Sequence, residues 1–483
     1  MCIRDRYKAK EVLDKYCSFM PVPIFVTNED AGEQTEEIPE EEVTEKDTVL
    51  DTFIKDAVTE EVEKEDGTKE TVEKVPAKKM AKIVKRPVAI NDIHPLWTKH
   101  PNECSDEDYK EFYRKVFHDY KEPLFWIHLN MDYPFNLKGI LYFPKINTEY
   151  ESIEGTIKLY NNQVFVADNI KEVIPEFLLL LKGVIDCPDL PLNVSRSALQ
   201  NDGFVKKISD YITKKVADKL SGMCKTDKEN YEKYWDDINP FIKFGCLKDE
   251  KFAEKMNDYI IFKNLEGKYL TLKECLEENK EKHENTVFYV TDEVEQSQYI
   301  NMFKNEGIDA VILTHNIDQP FITNMESKNE NLKFKRIDAD LSDSFKEETS
   351  KDELKDMTEK LSKTFKDALG KENLTVNVEK LKDASISSMI TLSEESRRMQ
   401  DMMKMYGMAG MDPNMFGAEG QTLVLNANND LVKYVAEHTD GENTKIICEQ
   451  LYDLAMLSHA PLSPEQMTGF IARSNKIMEL LAK

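Results

Sequence analysis

The segment from Asn193 to Gln200 holds the residues of this sequence that are best placed for chemistry. It reads Asn-Val-Ser-Arg-Ser-Ala-Leu-Gln and lies between the proline-containing stretch Asp189–Leu192 and a helical pattern of apolar residues. Arg196 and Gln200 are four residues apart, so in a helical turn both side chains project from one face. An arginine beside a polar glutamine can bind a phosphate anion through directed donors. Taken alone, an arginine near a helix start is more often solvated or ion-paired.

Few other patterns in the sequence suggest catalysis. It contains no H-E-x-x-H, no G-x-S-x-G and no G-x-x-x-x-G-K-[ST] pattern. Four glycines lie close together between residues 407 and 420, but no strand-like run precedes them and no lysine directly follows. We therefore interpret them as part of a flexible loop and not as a phosphate cradle.

A methionine-rich stretch allows two interpretations. Its members are Met399, Met402, Met403, Met405, Met408 and Met411. Flexible thioethers suit a surface that accepts many apolar partners. A helix packed into a core explains the same spacing equally well. Elsewhere, Trp97 is expected to be half-buried.

The composition limits the class of protein. The 483 residues suggest about three domains. Hydrophobic residues make up 40% and charged residues 32%, which is enough apolar material for real cores under a highly charged surface. The formal net charge of −26 would repel a phosphate backbone, so we expect no nucleic-acid partner.

The cysteines and the apolar runs indicate the compartment. The eight cysteines are scattered and none forms a C-x-x-C pair, so we expect neither a metal site nor a disulfide framework. No apolar run is long enough to cross a bilayer, and Met1–Arg6 precedes no apolar stretch typical of a signal peptide. We expect a cytoplasmic protein with free thiols and no membrane partner.

Periodicity predicts an α/β and α+β multidomain protein. Residues 1–27 form a short helix and a short strand ending near Val26, like the tail of a domain whose body is absent. Residues 28–85 are an acidic charged linker, too poor in apolar residues to fold, with some strand around Thr71–Val75. Residues 86–345 form an α/β domain, with a large subdomain to about 222 followed by helices and a small α/β subdomain. Residues 346–483 are mainly helical.

Local signals place several elements. Capping boxes open helices at Ser105, Ser350 and Ser463. A hairpin is expected with Asn161-Asn162 at its turn. The runs TVFYVTD, QSQYINMFKNEG and DAVILTH predict a βαβ unit whose helix ends at Gly307.

Several of these runs together resemble one family in its own order. They are PLWTKHP, DEDYKEFYRKVFHDYKEPLFWIH, ILYFPK, KLYNNQVFVAD, GVIDCPDLPLNVSR and, near the end, LYDLAMLSHAPLSPEQMTGFIARSNKI. The chain is identified on them as a member of the ninety-kilodalton heat-shock chaperone family. It ends Glu479-Leu-Leu-Ala-Lys483 without the acidic co-chaperone peptide of eukaryotic cytosolic members, which favours the bacterial form. The resemblance implies middle and C-terminal domains, with most of the N-terminal ATP domain missing before Tyr7.

The resemblance also implies the site residues. In this family the loop arginine reaches the γ-phosphate of ATP held by the N-terminal domain, and a glutamine supports it. These roles fall on Arg196 and Gln200, with Asn193 shaping the loop and Ser197 standing where an acidic residue is commonest. The full-length protein would use ATP with Mg²⁺, whereas we expect this chain alone to bind no cofactor and hydrolyse no ATP.

The family's partners are unfolded client proteins and a second copy of the chain. The resemblance assigns client contacts to Trp97, Met399, Met402 and Met403. A four-helix dimer interface would be built from two terminal amphipathic helices. Its expected residues are Leu451, Leu454, Phe470, Ile471 and Ile477. Folding of these helices onto their own domain is the alternative. A self-sufficient phosphoryl-transfer enzyme and a passive dimeric scaffold remain rival classes of function.

Overall fold

A computed structural model of the chain describes most of the sequence. The described residues are 6–27, 32, 34–55, 58–63, 69–75, 78–145, 155–170, 173–190, 202–339, 345–347, 351–392, 398, 421–458 and 462–482. The chain divides into two compact units: Met1–Pro175 with Leu179–Tyr211, and Glu176–Leu178 with Ile212–Lys483. The expected domain boundaries at residues 27, 85, 222 and 345 remain predictions.

The first unit begins with a helix that is followed by extended chain and not by the expected strand. Helix α1 spans Arg6–Cys17. Among the described residues up to Val26 no strand forms. Ile24 accepts one backbone hydrogen bond, from the Ile90 amide at 2.9 Å, but its own amide donates to the Asn91 side chain at 2.7 Å and so does not continue a ladder. The segment is not without partners, since Phe19 is buried and its ring centroid lies 4.7 Å from that of Trp97.

The acidic stretch is more ordered than its composition predicts. Its strands are β1 (Thr35–Pro39), β2 (Val49–Lys55), β3 (Val58–Glu63), β4 (Lys69–Val75) and β5 (Lys78–Val84). They form an antiparallel sheet in the order β1-β5-β2 and a β3-β4 hairpin. The expectation of an unfolded linker is wrong for these described residues, while the strand expected around Thr71–Val75 is present as β4.

Charge pairing explains why this stretch folds. Strand β5 is rich in lysine, and its Lys82 lies opposite Glu37 of β1, where opposite charges are favourable. Arg86 binds Asp47 through two hydrogen bonds of 2.9 and 2.6 Å and lowers the pKa of that carboxyl. The average composition hides this pairing of the acidic strand β1 with the lysine-rich strand β5.

The body of the first unit is a five-stranded mixed sheet covered by a helix. After helix α2 (Asp106–Phe117), the strands are β6 (Phe125–Met131), β7 (Leu137–Phe143), β8 (Ile157–Asn161), β9 (Val164–Asp168) and β10 (Lys182–Asp186). The order is β6-β7-β10-β8-β9, and only β10 and β8 run parallel. Ser105 caps α2 in the expected box with Asp108, and the α2 face bearing Phe112 and Tyr113 packs into the core.

The β8-β9 hairpin turns one residue later than expected. Asn161 pairs with Val164, so the two turn residues are Asn162 and Gln163. Both have positive φ, 50° and 63°. The primed turn that these angles indicate matches the right-handed twist of the strands, whereas Asn161 is a paired residue of β8 and not a turn residue.

The second unit opens with helices and a small parallel sheet. The elements from the helix shared between the units onward are α3 (Asp202–Thr226), α4 (Lys228–Lys248), α5 (Glu250–Met256), β11 (Ile261–Lys263), β12 (Tyr269–Thr271), α6 (Leu272–Glu278), β13 (Thr286–Val290), α7 (Ser297–Asn305), β14 (Ala310–Ile312), α8 (Asp318–Lys328) and β15 (Lys333–Arg336). The parallel order β14-β13-β15 confirms the βαβ unit, and Gly307 has the positive φ expected after its helix.

The C-terminal part packs helices on a three-stranded sheet. Its elements are α9 (Lys351–Leu369), β16 (Thr375–Glu379), β17 (Ser388–Leu392), β18 (Gln421–Asn426), α10 (Asp430–Glu437), α11 (Thr444–Leu457) and α12 (Pro464–Leu481). The sheet order is β16-β18-β17. The capping box of Ser463 and Gln466 is confirmed. The box expected at Ser350 and Glu353 lies outside the described residues.

We expect the first unit to lose stability as the pH falls below 6.5, the ordinary pKa of histidine. His128 of β6 is half-buried, and burial lowers its pKa below 6.5. Its Nδ1 lies 2.7 Å from the Tyr109 hydroxyl. A backbone hydrogen bond at Trp97 opposes the effect of burial on the His128 pKa, and the nearby Lys138 acts in the same direction as burial. Because the unfolded chain then binds more protons than the folded chain, stability rises with pH between the folded pKa and 6.5.

Urea unfolding at a series of pH values measures this effect. Tryptophan fluorescence reports it, because Trp126 stacks on Tyr109. The unfolding midpoint of the parent should fall between pH 7 and 5.5 more steeply than that of His128→Gln, which cannot titrate. Equal slopes for the two proteins would contradict the prediction.

Candidate functional site

The arginine-bearing segment and the methionine-rich stretch lie outside the described residues. This applies to Asn193, Arg196 and Gln200, and to Met399, Met402 and Met403. The structure describes the chain on both sides of the arginine segment, residues 193–200, up to residue 190 and from residue 202. We call residues 186–190, which lead into it, the approach segment.

The end of β8 holds the approach segment. The Cys187 amide donates to the Tyr160 carbonyl at 3.1 Å, continuing the parallel pairing of β10 with β8. The Asn161 side-chain amide then donates to the carbonyls of Cys187 and Pro188 at 3.0 and 3.1 Å. Three hydrogen bonds therefore fix the backbone just before the arginine segment.

Asp186 ties the approach segment to the aromatic core. One of its carboxylate oxygens accepts hydrogen bonds from the Trp97 indole N–H at 3.2 Å and from the backbone N–H of Gln163 at 3.0 Å. Within the described part of the chain, its other oxygen has no hydrogen-bond partner. Burial raises the pKa of this carboxyl, because the charged form loses water.

The last residues of the approach segment form a turn. The Leu190 amide donates to the Cys187 carbonyl at 3.2 Å, and the Leu190 side chain is buried. The Asn136 amide donates to the Asp189 carboxylate at 2.7 Å. These contacts hold the backbone of the approach segment in place up to Leu190, the residue before Pro191.

Helix α3 receives the chain after the arginine segment. Val205 and Ile208 are buried. The Phe204 ring lies edge-on to Phe135, with 5.5 Å between centroids, and Phe135 also contacts Tyr211. The residues on both sides of the arginine segment are therefore anchored within the first unit. Arg196 itself lies outside the described residues.

Sequence reasoning missed the anchoring residues Asn161 and Asp186. Each is a polar side chain at the end of an apolar strand, in KLYN and GVID. A buried strand tolerates such residues only when they satisfy hydrogen bonds. A polar residue at the end of an apolar strand was therefore the feature of the sequence that could have identified both residues.

Trp97 is fully buried, so the expected half-burial is wrong. Phe19, Phe112 and Tyr160 surround its ring, and its N–H is bound to Asp186. A client contact by this indole would require the cluster to open.

Polar side chains connect the two terminal helices, and Arg473 makes most of these contacts. Arg473 of α12 binds Asp453 and contacts Glu449 and Gln450, all on α11. Gln450 also donates to Ser474 at 3.1 Å. These contacts fix which face of α12 is turned towards its own chain.

The five residues expected at a dimer interface occupy different environments. Leu451 is buried in the core formed with α9 and the C-terminal sheet, so it is not available to a partner. Phe470 and Ile477 are half-buried. Leu454 and Ile471 are exposed, at 44% and 53%.

An apolar stripe remains uncovered on α12. Ile471 and Met478 are seven residues apart, so they lie two turns apart on one face. They are 53% and 59% exposed, and α12 has no fully buried residue. An amphipathic helix normally buries such a stripe against another surface.

Other kinds of site find no support in the described ranges. There, no group of three metal-ligating side chains lies together. Burial raises the pKa of the Cys187, Cys246, Cys275 and Cys448 thiols to about 12, which makes them poor nucleophiles. Among the same residues, no helix combines the length and apolar character needed to cross a membrane.

Comparison with known proteins gives a family match along nearly the whole chain. The family model described as Hsp90 protein matches residues 4–483. The chain is 38% identical over 451 residues to the chaperone protein HtpG of Bacteroides thetaiotaomicron, covering 90% of this chain and 59% of the relative. It is 40% identical over 367 residues to that of Bacteroides fragilis, covering 73% and 53%.

A third relative gives the same result. The HtpG protein of Porphyromonas gingivalis is 41% identical over 362 residues, covering 72% of this chain and 52% of the relative. The chain thus spans a little over half the length of the curated relatives that it matches.

Proposed function

Because the chain belongs to the Hsp90 protein family, we propose that it provides the arginine segment, client surface and dimer interface of an ATP-dependent molecular chaperone. The family match over residues 4–483 is the observation that carries this proposal. The relatives named chaperone protein HtpG support it, with identities of 38–41%.

Arg196 would act on ATP that is bound by a different part of the full-length protein. ATP with Mg²⁺ supplies the phosphoryl group that is transferred to water. An arginine brought from another domain neutralises the charge that develops on that group. Arg196 would supply the neutralising positive charge. Gln200 would orient the guanidinium, and Asn193 would shape the segment.

Client proteins would bind through the methionine-rich stretch. Unfolded or partly folded chains expose varied apolar surfaces, and thioether side chains adapt to them better than branched ones do. Met399, Met402 and Met403 are the residues to which we assign this contact.

Two copies of the chain would associate through their terminal helices. Ile471 and Met478 are apolar and exposed, and they lie on one helix face. In a two-fold interface each stripe meets the same stripe of the other copy. Arg473 would keep α12 at a fixed angle to α11, so that the stripe stays outward.

In a chain of the full length of its relatives, Arg196→Ala should lower kcat for ATP hydrolysis on the order of 10³-fold. ATP affinity should change little, because the contact forms mainly on the way to the transition state. Steady-state hydrolysis and equilibrium nucleotide binding separate the two effects. Arg196→Lys keeps the charge but not the planar fork, so it should recover only part of the rate. A collapse of ATP affinity with normal turnover would contradict the assigned role.

The purified chain should suppress the aggregation of an unrelated protein that unfolds on heating. Replacing Met399, Met402 and Met403 together by Ser should weaken this suppression, because the apolar contact area is lost. Replacing the half-buried Met20, Met80 and Met131 in the same way is the matched control. Light scattering during heating measures the effect. If both triple variants suppress aggregation as well as the parent, the methionine-rich stretch is not the client surface.

The chain should be a dimer at micromolar concentration, and Ile471→Glu combined with Met478→Glu should make it monomeric. Each substitution places a carboxylate in the apolar seam twice, once from each copy. Ala472→Glu adds the same charge on an exposed position about 100° around the helix and should stay dimeric. Light scattering coupled to size exclusion gives the masses. A parent monomer, or a double variant that remains dimeric, would rule out this interface.

A further inference from the structure

A cavity of about 250 Å³ lies in the second unit, at the carboxyl ends of β13 and β14. The residues that follow these strands, Glu293 and Leu313 to His315, form part of its lining. Helix α4, strand β11 and the start of α8 contribute the rest. Proteins with parallel sheets bind ligands outside the carboxyl ends of the strands, so the position of the cavity suits a binding site.

Three polar side chains that line this cavity are almost completely buried. Asn239 and Lys243 of α4 and Asp318 of α8 are 5%, 3% and 3% exposed. The Lys243 ammonium donates to the Asn239 Oδ1 at 3.0 Å and to the Asp318 carboxylate. The other oxygen of that carboxylate accepts the backbone N–H of His315 at 2.9 Å.

One donor of the Lys243 ammonium is left for a molecule inside the cavity. An ammonium group has three N–H donors, and the described residues accept two of them. A buried donor is stabilised when it meets an acceptor. A ligand that places an oxygen beside Lys243 would therefore complete its hydrogen bonding.

Part of the cavity wall is apolar. Trp235 and Phe262 contribute aromatic rings, and Leu313 contributes a branched side chain. All three are buried. Because a cavity of about 150 Å³ can hold benzene, this larger one admits a single ring that carries a short polar substituent.

The lining carries one negative charge in excess when histidine is counted as neutral. Lys243 is paired with Asp318. The Lys263 ammonium lies 3.5 Å from the Asp236 carboxylate. Glu293 also lines the cavity, and it forms no ion pair with any residue that the structure describes. The net charge of −26 on the whole chain adds to the attraction for a cation.

We propose that this cavity binds a small organic cation that carries one apolar ring and a carbonyl oxygen. The carbonyl oxygen accepts the third donor of Lys243, the ring packs against the Trp235 and Phe262 walls, and Glu293 attracts the positive charge. The amide of an aromatic amino acid has all three features. This site is independent of the role proposed above for Arg196.

Four probes of similar size separate these features. L-phenylalaninamide has the ring, the carbonyl and the positive charge. Hydrocinnamamide lacks the ammonium group, phenethylamine lacks the carbonyl, and hydrocinnamate is an anion. Each probe is titrated into the purified, nitrogen-labelled chain, and the indole N–H signals of its three tryptophans are followed by NMR. The loss of one signal in Trp235→Phe identifies that of Trp235.

L-phenylalaninamide should shift the Trp235 signal with a Kd of about 1 mM or tighter. The signals of Trp97 and Trp126, which belong to the first unit, should not move. Phenethylamine should bind about tenfold more weakly, because it offers no acceptor to an ammonium donor. Hydrocinnamamide should bind about threefold more weakly, because the attraction of an exposed carboxylate is modest. Hydrocinnamate should bind most weakly of the four.

Glu293→Gln should abolish the preference for L-phenylalaninamide over hydrocinnamamide. Glu295→Gln makes the same charge change two residues further on, at a side chain outside the lining, and should keep the preference. The carbonyl contact is tested with probes and not by Lys243→Met, because that change would leave Asp318 buried without its partner. Circular dichroism checks that each variant is folded.

Three results would overturn the proposal. The first is a Trp235 signal that does not move even at ten times the expected Kd of L-phenylalaninamide, which would leave the cavity to water. The second is an equal shift of all three indole signals, which indicates non-specific binding. The third is equal affinity for the four probes, or a Glu293→Gln variant that behaves like Glu295→Gln, since either excludes the proposed class of ligand.

Discussion

The close pairing of β7 with β10 is the constraint on which the first unit depends. Gly183 of β10 lies opposite Leu141, and Gly139 of β7 lies opposite Ile185. A Cβ at Gly139 would lie 2.3 Å from the Val184 carbonyl oxygen, and one at Gly183 would lie 2.8 Å from that of Ile140. Any larger residue at either position would push the strands apart. Strand β10, which leads into the arginine segment, can therefore pair closely with β7 only because both positions are glycine.

Where such ladders end, buried asparagines continue the hydrogen bonding. Asn161 does so beside β10. In the second unit, the Asn426 side chain donates to the carbonyls of Asp383 and Ile386 and accepts from the Leu381 amide. Near the N-terminus, Asn91 donates to the carbonyls of Met20 and Val22. A buried backbone group without a partner is costly, and an amide can satisfy irregular chain without adding charge.

The terminal helices show how one ion-paired residue separates two faces. Arg473 directs part of α12 towards α11 and leaves Ile471 and Met478 outward. Both faces carry apolar residues, so hydrophobicity does not distinguish them. Arg473 lies on the same side of α12 as Phe470 and Ile477. Because its partners are on α11, this face of α12 is the one that turns towards α11.

Local patterns in the sequence determined the elements that local physics controls. The helix starts at Ser105 and Ser463 and the βαβ unit follow from capping, periodicity and glycine signals within a few residues. The family followed from the order of long runs such as GVIDCPDLPLNVSR, which the match over residues 4–483 confirms. The tertiary structure decided what depends on partners far along the chain. It buried Trp97 against Phe19 and Asp186, moved the hairpin turn by one residue, paired the acidic strand β1 with the lysine-rich strand β5, and placed Leu451 inside while Ile471 stayed outside. Sequence spacing specifies which residues share a face, but which of two apolar faces is covered depends on what the rest of the fold brings against it.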